Sequence, residues 1–272
     1  MTESTANRGY APVNGLEMYY EVHGAGEPLV LLHGGFGSAS MFAPLLPALT
    51  ETRQVIGVDL QGHGRTADID RPIGFEHMAD DVAALLGHLG IERADLFGYS
   101  MGGGVALQTA IRHPQLARKL VIVSTPFKND GWYAEMIPSS KAINAEWAKA
   151  MEGTPMHEAY MNTAPRPEDW PRLATKMGQS MDRGYDMMEQ IASLESPILI
   201  AVGDADLVRL EHAVEMYRLL GGGKVDVQGS IPASQLAILP GVNHYTSFMR
   251  TDLLLPVVTP FLEAPVSDVV AD

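Results

Sequence analysis

Gly98-Tyr99-Ser100-Met101-Gly102 sets a hydroxyl between small residues, after the apolar run Ala94–Phe97 and at the head of the helical pattern Gly102–His113. Strand, tight turn and helix in that order are the setting in which a G-x-S-x-G segment exposes a serine nucleophile. The turn holds Ser100 in a strained backbone, so its neighbours must be small, and Gly98, Gly102, Gly103 and Gly104 meet that need. The helix starting there points free N–H groups and its positive dipole end at charge developing on a substrate oxygen. A second glycine-rich turn, His33-Gly34-Gly35-Phe36-Gly37, follows Leu29–Leu32. From that place it supplies one N–H of an oxyanion hole and the residue after the nucleophile supplies the other, which names Gly35 and Met101.

A free serine hydroxyl is a poor nucleophile near neutral pH, so a base is required. Nine histidines compete. His244, in Pro240–Tyr245, comes just past the last apolar run, Leu236–Leu239, and the carboxyl ends of strands are where sites gather in open α/β sheets. His33 is expected to fix its own loop, and His63, in Asp59-Leu60-Gln61-Gly62-His63-Gly64-Arg65, reads as scaffold. His23, His77, His88, His113, His157 and His212 lack a loop signature. The base in turn needs a carboxylate that holds the imidazole tautomer and stabilises the imidazolium. Gly203-Asp204-Ala205-Asp206 follows the run Ile198–Val202 and gives the chain order Ser, Asp, His. Asp206 lies further into that loop, where it can reach across to the histidine, whereas Asp204 is better placed to brace the turn. Asp130, shortly after Leu120–Val123, is a remoter candidate.

These loops need a scaffold, and the apolar runs supply one. Leu29–Leu32, Val55–Val58, Ala94–Phe97, Leu120–Val123, Ile198–Val202 and Leu236–Leu239 are short and do not alternate, as suits strands buried on both faces of a parallel sheet. Amphipathic stretches such as Phe75–Leu89 and Gly102–His113 separate several of them, which implies βαβ crossovers and an α/β fold. Leu16–Val22 reads as an antiparallel edge strand turning through Gly24-Ala25-Gly26. Residues 126–193 break the rhythm: helical patterns punctuated by proline, with all three tryptophans and eight of the fifteen methionines. The expected organisation is a core of residues 1–125 and 194–272 with a helical lid over 126–193. That segment either builds a small core of its own or turns Met and aromatic side chains toward a substrate cavity, and the two are compatible. Trp132, Trp147 and Trp170 are its candidate substrate contacts, with Phe36 and Tyr245 from the flanking loops.

The bulk numbers bound the partners. With 46% apolar and 19% charged residues over 272 positions, the chain can bury a full core. A net charge of −14 argues against nucleic acid, which needs a basic footprint, and against an anionic membrane surface. The absence of cysteine excludes disulfides, thiolate catalysis and cysteine-ligated metals. Residues 1–8 carry no secretory pattern and no stretch approaches the roughly 18 apolar residues of a membrane span, so a cytoplasmic location is the expectation. Oligomeric state is not legible.

Taken in order, His33-Gly34-Gly35, Asp59–Gly64, Gly98–Gly103, Gly203–Asp206 and Gly241–His244 resemble the α/β-hydrolase superfamily, and within it the small bacterial esterases, C–C bond hydrolases and cofactor-free perhydrolases. The resemblance runs from about Leu16 to Leu262. It implies a mostly parallel eight-stranded sheet flanked by helices, a helical cap inserted after strand six, and Asp206 as the acid. Serine at the turn sets the chain apart from the dehalogenases and epoxide hydrolases of that fold, which place aspartate there. The expectation is a serine hydrolase that cleaves a small or medium apolar ester or lactone through an acyl-enzyme, with no metal or organic cofactor. C–C bond hydrolysis and perhydrolysis with the same triad are the alternatives, and a ligand receptor on a hydrolase scaffold is a further one. Gly221–Ser234 is longer and richer in glycine than expected between a last helix and a last strand.

Overall fold

Asn14 and Gly15 take φ of 48° and 85°, the paired left-handed values of a two-residue hairpin turn. They join β1 (Asn7–Val13) to β2 (Leu16–His23) in antiparallel register, Val13 opposite Leu16. This corrects the expectation for Leu16–Val22: β2 is an inner strand, and β1 forms the edge. The computed structural model describes residues 7–135, 141–224 and 232–265. Half of the Gly221–Ser234 connection, residues 225–231, therefore lies outside the described residues.

Among the described residues the sheet has eight strands, in the order β1-β2-β4-β3-β5-β6-β7-β8. Its central strands are β3 (Glu27–Leu32), β4 (Arg53–Val58), β5 (Ala94–Tyr99) and β6 (Ala117–Val123), followed by β7 (Ile198–Ala205) and β8 (Gln235–Asn243). From β4 through β8 every pairing is parallel. The non-alternating runs of β3 to β7 are explained by burial on both faces, whereas Leu236–Leu239 of β8 lies at the sheet edge with Ile238 exposed, which corrects the expectation for that run. Val30 and Leu32 of β3 face one layer with α1 (Phe75–His88) and α2 (Met101–Arg112), while Leu29 and Leu31 face another with α7 (Thr251–Glu263). Lys119 of β6, 2% exposed, donates its ammonium protons to Phe261 O at 2.7 Å, Leu262 O at 3.0 Å and Ala264 O. A cation at these otherwise free carbonyls caps α7 and complements the negative end of its dipole.

Between β6 and β7 the chain is helical, with α3 (Ala145–Ala150), α4 (Pro155–Thr163) and α5 (Trp170–Arg183); α6 (Leu210–Leu219) follows β7. Asn144 starts α3 by accepting from the N–H groups of Glu146 and Trp147 at 2.9 and 3.0 Å. Apolar residues of α5 recur at helical spacing, Trp170, Leu173, Ala174 and Met177, and all are buried. The polar side of α5 is tied to the loop after β4. Lys176 donates to Asp68 Oδ2 at 2.7 Å, Ile69 O at 2.6 Å and Arg71 O at 2.8 Å, and Arg172 Nε lies 2.8 Å from Asp68 Oδ2. Among the described residues no helix is long and apolar enough to cross a membrane.

Candidate active site

The turn after β5 is forced by close approach. A Cβ on Gly102 would lie 2.0 Å from Leu32 O, so only glycine lets the start of α2 press against the end of β3. Ser100, at φ 52° and ψ −117°, occupies the resulting kink, its N–H bonded to Val123 O at 2.9 Å. Three strand ends then converge. Ser100 Oγ is 3.0 Å from His244 Nε2, and His244 Nδ1 is 2.8 Å from Asp206 Oδ1. His244 and Asp206 are each 6% exposed, so little water competes for these bonds.

Five donors surround the Asp206 carboxylate. Oδ1 accepts from His244 Nδ1–H and from the N–H groups of Leu207 at 2.7 Å and Val208 at 3.2 Å. Oδ2 accepts from Ser124 Oγ–H at 2.5 Å and Gly203 N–H at 3.4 Å. Burial pushes this carboxyl upward, but the hydrogen bond and charge of His244 and the donors from Ser124 and Val208 outweigh it, leaving it below the ordinary carboxylate value. The competing aspartates lie elsewhere. Asp204 Oδ1 accepts from Gly241 N–H at 2.8 Å and Val242 N–H at 3.3 Å, bracing the end of β8. Asp130 is exposed and pairs with Lys128 at 3.5 Å.

The two histidines read as scaffold are both fully buried. His33 Nε2 accepts from Leu60 N–H at 3.0 Å while Nδ1–H donates to Gly34 O at 2.8 Å, which pins the glycine-rich loop to the loop after β4. Burial lowers its pKa to about 4, so the ring is neutral under ordinary conditions. His63 donates to Gln61 O at 2.8 Å, and burial, with His33 beside it, lowers its pKa to about 3. Phe36, next to Gly35, holds φ 60°, and its ring lies 5.0 Å from Trp147 and 5.4 Å from Trp170. Among the described residues no backbone carbonyl accepts from the N–H of Gly35 or Met101.

Ser100, His244, Gly35 and Met101 open into one cavity of about 660 Å³. Phe36, Trp132, Trp147 and Tyr245 line it together with Met156, Met177 and Tyr185; Arg183, Glu76 and His77 also line it. Trp170 departs from the expectation for the three tryptophans. It is 3% exposed, its Nε1–H donates to Ala148 O at 2.9 Å, and its rings pack on Trp147 and Tyr160, so it belongs to the core of the helical segment and not to the cavity wall. Sequence reasoning also passed over Ser124, Ser247 and the Tyr99 hydroxyl, which donates to His244 O at 2.8 Å. Tyr99 lies inside the turn motif itself; Ser124 and Ser247 carry no motif.

A family model described as alpha/beta hydrolase fold matches residues 27–160. The E-2-(acetamidomethylene)succinate hydrolase structure superposes with a TM-score of 0.73 over 96% of this chain and 100% of its own, at 20% identity. The chain has the α/β-hydrolase fold, and its residues 27–160 match that family. Among curated relatives, "Putative carbamate hydrolase RutD" of Azorhizobium caulinodans is 34% identical over 134 residues, 49% of this chain and 51% of that protein. The dihydrolipoyllysine-residue acetyltransferase component of the acetoin cleaving system of Pseudomonas putida is 39% identical over 236 residues, 83% of this chain and 61% of that protein. The matched segments thus span only half to three fifths of these two relatives.

Proposed function

We propose that this chain is a serine hydrolase that cleaves a small or medium apolar carboxylic ester or lactone through an acyl-enzyme on Ser100. The observation that carries the reading is the continuous run of hydrogen bonds from Ser100 through His244 to Asp206, with the serine end opening into a largely apolar cavity. His244 Nε2 takes the Ser100 proton as Oγ attacks the substrate carbonyl, and Asp206 supports the imidazolium through Nδ1–H. The N–H groups of Gly35 and Met101 stabilise the oxyanion. His244 then protonates the leaving alcohol, and water repeats the sequence to release the acid and restore the hydroxyl. The helical segment over 126–193 acts as a lid whose Trp132, Trp147 and methionines select the substrate. A carbamate is a second substrate class, supported by the likeness to the Azorhizobium relative, since the same serine attacks that carbonyl and only the leaving group differs.

A fluorophosphonate probe is expected to label the protein stoichiometrically, with the adduct on the peptide carrying residues 98–102 by mass spectrometry. A panel of activated esters, lactones, carbamates and diketones ranks the substrate classes. An active protein that the probe leaves unlabelled ends the serine-hydrolase reading. The tryptophans divide in a second measurement. Trp147→Ala is expected to redistribute kcat/KM across esters of different size by about 1–3 kcal/mol of discrimination. Trp170→Ala is expected to cost about 3–5 kcal/mol of stability as a buried large-to-small change while leaving the selectivity profile flat. The assignment is reversed if unfolding midpoints and substrate profiles show the opposite pattern.

A further inference from the structure

Among the described residues, four other than glycine hold a left-handed backbone: Asn14 at φ 48°, Phe36 at 60°, Ser100 at 52° and Ser124 at 54°. Such values are uncommon without glycine, persist only where the surroundings enforce them, and gather at functional sites. Asn14 makes the β1–β2 turn, Phe36 adjoins the oxyanion loop, and Ser100 is the nucleophile turn. Ser124 is the one such position still without a role.

It lies directly after β6, fully buried, with its N–H bonded to Ala201 O of β7 at 2.9 Å. Its hydroxyl donates to Asp206 Oδ2 at 2.5 Å, in the short range typical of hydroxyl-to-carboxylate bonds. Ser247 Oγ lies 3.1 Å from Ser124 Oγ and donates to the His244 carbonyl at 3.0 Å. The hydroxyl of Ser124 therefore lies between the acid and the loop that carries the base. On Asp206 the two oxygens are served unequally. Oδ1 is held by two backbone N–H groups besides His244, whereas Oδ2 has Ser124 and only the long contact from Gly203 at 3.4 Å.

We propose that Ser124 is a positioning residue of the triad. Its hydroxyl fixes the rotation of the Asp206 carboxylate, so that Oδ1 stays in line with His244 Nδ1–H, and draws part of the negative charge onto Oδ2. This rests on the reading of Ser100, His244 and Asp206 as a catalytic triad. Removing the hydroxyl has two consequences of different kind. The carboxylate gains rotational freedom, which slows the step in which imidazolium forms. It also removes one of the donors that hold the Asp206 carboxyl below the ordinary carboxylate value, so that carboxyl takes up its proton at higher pH. Among the described residues His244 is the only cationic or titratable partner in hydrogen-bond contact with Asp206; the Tyr99 phenol from β5 reaches the His244 carbonyl.

The test compares Ser124→Ala, Ser124→Gly and Asp206→Asn with the wild type, by kcat, KM, thermal midpoint and the pH profile of kcat/KM. Both Ser124 variants are expected to lose about 10- to 100-fold in kcat, the scale of a hydrogen bond to a charged group, with little change in KM. The acid limb of kcat/KM should move to higher pH. Glycine adopts φ 54° without strain, so Ser124→Gly should melt at or above Ser124→Ala while losing as much activity. The proposal is overturned if either variant stays within about twofold of wild type while Asp206→Asn shows its full loss of kcat. It is equally overturned if the losses follow the melting points and the pH profile does not move, since that pattern is a structural role. A neutral Asp206→Asn removes the triad reading itself, and this proposal with it.

Discussion

Ser100→Ala is expected to leave a folded protein whose kcat has fallen by about six orders of magnitude, the scale seen when a triad serine is deleted. The fold should survive because the backbone at position 100 is held from outside the side chain. Its N–H is bonded to Val123 O at 2.9 Å, its carbonyl accepts from Thr125 Oγ–H at 2.9 Å, and its kink is set by Gly102 against Leu32. Alanine meets the same left-handed strain as serine, so the unfolding midpoint should scarcely change. Substrate binding should persist as well, since the cavity walls are untouched, and KM-level affinity can be read by protection or titration. Any residual rate above the uncatalysed reaction is then expected to come from the proposed oxyanion donors, the N–H groups of Gly35 and Met101, and from binding alone. Adding His244→Ala should then cost almost nothing further, because groups that act as one unit are not additive. A Ser100→Ala protein with more than about a hundredth of wild-type kcat, far above that scale, would move the nucleophile elsewhere.

Much of this site was legible because strand ends announce themselves. Ser100, Asp206 and His244 each follow an apolar run, buried on both faces for the first two and at the sheet edge for the third, and a parallel sheet gathers the carboxyl ends of such runs on one side. β1 escaped because Asn7–Val13 has no such run: its burial alternates, Pro12 interrupts it, and only Ala11 and Val13 are buried. The Asn14-Gly15 pair was the signal for it. Trp170 shares its residue type with Trp147, yet its spacing with Leu173, Ala174 and Met177 marks the buried stripe of an amphipathic helix. Ser124 had no such signal. A lone serine after Leu120–Val123 becomes meaningful only once β6 and β7 are known to be neighbours, which is tertiary information.

The two aspartates of the β7 loop are expected to part sharply, and the donors around each say how. Asp206→Asn should lower kcat by about 10³- to 10⁴-fold, up to the scale known for this change in a triad. The N–H groups of Leu207 and Val208 both point at Oδ1 and demand an oxygen there, so the amide is expected to keep its oxygen toward His244. The correct imidazole tautomer can then survive. What is lost is the negative charge that stabilises the imidazolium, and the amide NH₂ is turned toward Gly203 N–H, a donor meeting a donor. The substitution should therefore depress kcat with little effect on KM. Asp204→Ala removes acceptance from Gly241 and Val242 N–H at an exposed position, so it should cost about 1 kcal/mol of stability and far less in rate. Steady-state kinetics and thermal unfolding on the two variants decide the matter. A large kcat loss in Asp204→Ala with Asp206→Asn near wild type would mean that the carboxylate bonded to His244 at 2.8 Å is not the one the reaction uses.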